Sequence, residues 1–115
     1  MAEFSLLIAR AEKRMAENVR EKDRIIFGIG ELDREMAKTT RVLAEMEIKR
    51  AAAQFARPRT AELDADLKSL NYYVSTLTES LKALQRFRLA YVLKVKELDE
   101  RLQGDRSVVQ FCSDH

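Results

Sequence analysis

Tryptophan is absent from this chain, cysteine and proline occur once each, and glycine occurs three times. One cysteine, Cys112, cannot close an intramolecular disulfide, which points to a reducing, cytoplasmic setting. One proline, Pro58, leaves nearly the whole chain free to be helical. Charge of one sign is also lacking: the formal net charge is only +2, so no overall attraction to nucleic acid or an acidic membrane is expected. No apolar run approaches the roughly 18 residues that a membrane helix needs. The opening MAEFSLLIAR is too short in its apolar run, and carries Glu3 where a basic region belongs, so it does not read as a signal peptide.

What is present is helix-favouring and patterned. The 115 residues fit one domain, and 46% hydrophobic with 35% charged residues suits long helices, not a disordered tail. Pro58, set in RPR, is the clearest break. Thr60 is placed to cap a following helix, with Glu62, Asp64 and Asp66 favourable near its positive end. Gly104 reads as a stop, with Arg101 just before it. The predicted layout is a helix over about 2–56, a turn over about 57–60, a helix over about 61–103, and a C-terminal tail over 104–115.

Apolar residues recur at alternating spacings of three and four in both segments. The second segment gives Leu63, Leu67, Leu70, Val74, Leu77, Leu81, Leu84, Arg88, Tyr91, Val95, Leu98 and Leu102, apolar throughout except at Arg88. The first gives Phe4, Ile8, Ala11, Met15, Asn18, Lys22, Ile25, Ile29, Leu32, Met36, Thr39, Leu43, Met46, Arg50 and Ala53, with four polar members. Such a run is a coiled-coil seam, and polar residues within it serve register or partner choice at a cost in stability. It outweighs the poor helix propensity of NYYVSTLT over residues 71–78. Two helices joined by a short turn fold back on each other, so the expected fold class is all-α, an antiparallel coiled-coil hairpin, assembling into a dimeric or higher bundle.

The stretch IIFGIG, residues 25–30, interrupts charged sequence with Ile25, Ile26, Phe27 and Ile29 and two of the three glycines. The fold-back sets it opposite about residues 88–95, within FRLAYVLKV. Both arms are therefore apolar on more than one face at one height, and a second surface must cover what the hairpin does not. The expected partner interface is Ile25, Ile26, Phe27, Gly28, Ile29, Phe87, Arg88, Leu89, Tyr91 and Val92. Gly28 and Gly30, each costing about 1 kcal/mol relative to Ala in a helix, suit close helix approach or a bend beside Phe87 or Tyr91; the alternative is a break in the first helix. Arg88 is expected to reach Glu31, Glu35 or an acid on a partner, or to snorkel its charge to the edge. FSLLIA, residues 4–9, overhangs the shorter second arm and must be covered by SVVQF of the tail or by a partner.

No catalytic residues, metal ligands or cofactor site are expected. FGIGEL has two Gly but neither the third Gly nor the Lys-Ser or Lys-Thr pair of a phosphate loop. His115 is terminal, and with Cys112 makes too small a ligand set for a metal and no catalytic triad. Leu63, Leu70, Leu77 and Leu84 have zipper spacing, with KRAAAQFARPR upstream, but Pro58 and the Thr60 cap interrupt the continuous helix that a DNA-binding zipper needs. The basic stretch KALQRFRLAYVLKVK, residues 82–96, faces Glu31, Asp33 and Glu35 on the other arm. In outline, and in the heptad rhythm of LNYYVSTLTESLKAL, the chain is similar to stalk-like chaperones of flagellar and type III export and to subunits of eukaryotic coiled-coil adaptor complexes. The expected function is a protein–protein interaction module, a scaffold or adaptor forming a homo-oligomer or hetero-complex; the alternative is an export chaperone or stalk that binds clients or a motor ring.

Overall fold

A computed structural model describes residues 2–115 as two α-helices, α1 (Ala2–Phe55) and α2 (Ala61–Asp114), each of 54 residues. They form an antiparallel hairpin, with no strand among the described residues. The seam follows the heptad pattern closely. Every predicted seam residue of α1 is at least half-buried, and so is every one of α2 except Tyr91, while the residues between them are almost all exposed. Period alone placed the chain's inward face, as it should where the core is one stripe wide.

The reversal occupies residues 56–60, with a cis Arg57–Pro58 bond. Thr60 caps α2 as its type and position predict: the Leu63 N–H donates to Thr60 Oγ1 at 3.0 Å, and the Asp64 N–H to the Thr60 carbonyl at 3.0 Å. The basic residues here hold the turn together. Arg59 donates to the carbonyls of Ala53 at 2.8 Å and Gln54 at 3.3 Å, which the end of α1 leaves unsatisfied, and also pairs with Asp64 in the first turn of α2. One guanidinium thus joins the negative end of one helix to an acid at the positive end of the next.

Two expectations need correcting. Gly104 does not end α2, and residues 104–115 are not a tail: the helix runs through them to Asp114. A lone helical glycine costs about 1 kcal/mol, and the seam beyond it offsets that. Asp105, Val109 and Cys112 continue the three-four spacing, Cys112 is buried, and Asp105 accepts from Arg14 of α1 at 3.0 Å. The extended α2 therefore pairs with the start of α1, so residues 4–9 do not overhang. The expected continuity of the first helix across IIFGIG holds, and the alternative of a break there does not occur.

The molecule divides into two compact units, Met1–Gly30 with Leu89–His115, and Glu31–Arg88. The first holds most of the buried side chains: Ala11, Leu98, Leu102 and Cys112. The second holds Val74.

Candidate functional site

Cross-helix contacts fix the register in each unit. In the first, Arg14 pairs with Asp105 and Lys22 with Asp99, and Gly28 lies under the Tyr91 ring. In the second, Arg88 Nε donates to Asp33 Oδ1 at 2.7 Å. Asp33 is thus the acid Arg88 finds, in place of Glu31 or Glu35. The reason is rotational. With the seam labelled a and d, Ile29 and Arg88 at a, Asp33 is at e, the edge that an a residue of the facing helix reaches. Lys22 at a meets Asp99 at e in the same way. Glu31 instead points outward and pairs with Arg34 on its own helix.

The expected interface residues separate into three groups. Ile25 and Ile29 are half-buried in the seam, where they serve the hairpin itself. Gly28 is also used internally: a Cβ there would stand 3.0 Å from Tyr91 Cε2, so the glycine makes room for the ring. Ile26, Phe27, Leu89 and Val92 face outward. In heptad terms Ile26 and Val92 are at e, Phe27 at f and Leu89 at b, neighbouring rows on one side of each helix. Leu93, absent from the expected set, belongs with them: it is at f and 56% exposed. It lies in the segment expected to be apolar on more than one face, and its f position sets it outside the seam. Gly30, at b of α1, is on this face too, and a Cβ there would meet nothing within 4 Å.

The outward face of the first unit therefore carries Ile26, Phe27 and Gly30 from α1, and Leu89, Val92 and Leu93 from α2. Phe87 and Arg88 fall in the second unit, where Phe87 is exposed and Arg88 is engaged with Asp33. Single exposed apolar residues are ordinary; here several share adjoining rows at one height. Among the described residues there is no group of three or more His, Cys, Asp or Glu able to hold a metal ion. His115 stacks on Phe111 with ring centroids 4.4 Å apart, and Cys112 is buried in the seam. No helix among the described residues is long and apolar enough to cross a membrane.

No family model, curated protein or solved structure matches the chain.

Proposed function

We propose that the chain is a non-enzymatic protein–protein interaction module, a scaffold or adaptor subunit of a cytoplasmic assembly, that associates through its outward apolar face. The observation that carries this reading is the exposed cluster of Ile26, Phe27, Leu89, Val92 and Leu93 on adjoining rows of two paired helices. Covering one such side chain is worth about 1.5–3 kcal/mol, so a few decide whether two helical surfaces stay together. With five buried hydrophobic side chains among the described residues, the hairpin gains further from an added layer of helix.

The test is Leu93→Glu, on α2 and outside the seam. Mass in solution and co-purification from the native cell are measured beside helicity by circular dichroism. The reading expects association to be lost with helicity retained. Unchanged association, with itself and with every co-purifying protein, would contradict it.

A further inference from the structure

Methionine occurs four times. Apart from the first residue, all lie in the seam of α1: Met15, Met36 and Met46, each half-buried. The seam of α2 has none. A thioether fills a seam as leucine does, but a single two-electron oxidation turns it into a polar sulfoxide.

The two units rely on methionine unequally. In Glu31–Arg88 the large apolar seam residues of α1 are Leu32, Met36, Leu43 and Met46, so half of them are oxidisable. In Met1–Gly30 with Leu89–His115 they are Phe4, Ile8, Met15, Ile25 and Ile29, and Met15 alone is. That unit also has Leu98, Leu102 and Cys112 buried, whereas the second has Val74, at the height of Leu43 and Met46. The other seam residues of α1 in the second unit, Thr39, Arg50 and Ala53, add little apolar area. Two sulfoxides there would leave Leu32 and Leu43 to hold α1 against α2.

We propose that the second unit is a hydroperoxide-sensitive closure. Oxidation of Met36 and Met46 opens its seam and uncovers Leu70, Leu77, Leu81 and Leu84 of α2; reduction of the sulfoxides closes it. With hydrogen peroxide, the sulfur lone pair attacks one oxygen, the O–O bond breaks and hydroxide leaves. The S–OH proton passes to that hydroxide. Each thioether thus gives one sulfoxide and one water, the sulfur losing the two electrons that the peroxide gains. A dithiol reverses the step, becoming a disulfide as the sulfoxide oxygen leaves in water. A half-buried side chain is within reach of so small an oxidant. The S–O dipole it acquires has leucine and valine in the seam opposite and no hydrogen-bond donor there, so the helices part to let it meet water.

The test uses the full chain, hydrogen peroxide and amide hydrogen exchange, with peptide mass mapping to locate each added oxygen. Sulfoxides at Met36 and Met46 should speed exchange over residues 36–46 and 70–84 by about twenty-five-fold or more, about fivefold for each. Exchange over residues 98–112 should rise by about fivefold at most, the share of Met15. A methionine sulfoxide reductase supplied with a dithiol should restore the original rates. Met36→Leu combined with Met46→Leu should keep its helicity and show no acceleration over residues 36–46 after peroxide. Met36→Gln combined with Met46→Gln, polar side chains of similar length, should exchange fast over those residues without peroxide.

Both sulfoxides formed with no faster exchange would overturn the proposal. So would thioethers left intact while free methionine in the same solution is oxidised, or an acceleration that persists in the double leucine variant and therefore stems from another residue.

Discussion

The two units use the same seam and close it to different degrees. In Met1–Gly30 with Leu89–His115, Leu98 is fully buried, Leu102 and Cys112 nearly so, and two cross-helix ion pairs, Arg14–Asp105 and Lys22–Asp99, stand at its edges. In Glu31–Arg88, Val74 alone is buried, and one cross-helix ion pair joins the helices, Arg88–Asp33. The number of polar seam residues does not explain the contrast, since each unit has three: Asn18, Lys22 and Asp105 in the first, Thr39, Arg50 and Arg88 in the second. What differs is their engagement across the helices: Lys22 and Asp105 both belong to cross-helix ion pairs, whereas in the second unit only Arg88 does. Ile26, Phe27 and Leu93 stand outside at a height where the seam itself is only partly closed: Ile25, Ile29 and Val95 are half-buried and Tyr91 is 39% exposed, and full burial begins farther along α2, at Leu98.

The sharpest way to break that contrast is at its best-buried residue. Leu98→Ala should cost about 2–5 kcal/mol, read as a lower urea midpoint, because the side chain is fully buried. Leu77→Ala, half-buried in the second unit, should cost no more than the lower end of that range. Equal losses at the two sites would remove the distinction between the units.

A smaller pair of effects separates the two glycines of IIFGIG. Gly30→Ala should raise the Tm of the unassociated chain, since it gains about 0.5–1 kcal/mol of helix preference and meets no neighbour within its own chain. Gly28→Ala should lower it, because the new methyl meets the Tyr91 ring at 3.0 Å and the ring must move off the helix. Both Tm values shifting upward would mean that Tyr91 is not held there.

The smallest effect is expected at Arg88→Leu. The Arg88–Asp33 pair is about half exposed on both sides, so its loss should change stability by no more than about 1 kcal/mol, with helicity equal or higher. Unfolding on this substitution would show that the ion pair, and not the seam around it, holds the second unit.

The seam was legible residue by residue, because burial on a two-helix hairpin depends only on rotation, and rotation follows from number. The cap at Thr60 and the reversal at Pro58 were legible for the same local reason. The end of α2 was not. Gly104 looks like a stop, and only the continuation of the seam through Asp105, Val109 and Cys112, with a partner segment waiting in α1, says otherwise. Propensity is decided residue by residue, whereas the burial that overrides it is decided by the facing helix. The partner of Arg88 was missed similarly: height alone admits Glu31, Asp33 and Glu35, and only the e position reaches an a residue. On the outward face, Ile26 and Phe27 stood out by their charged surroundings, while Leu93 lay in the apolar segment of α2 but outside the expected interface set.

The mass of the chain in solution, alone and with the proteins that co-purify with it, tests the outward face most directly. The wild type should sediment above the 13.3 kDa of one chain, by itself at tens of micromolar or with a co-purifying protein, and Phe27→Glu should give 13.3 kDa with its helical circular dichroism retained. A wild type at 13.3 kDa in both conditions, or a Phe27→Glu variant that keeps the wild-type mass, would contradict an association surface there.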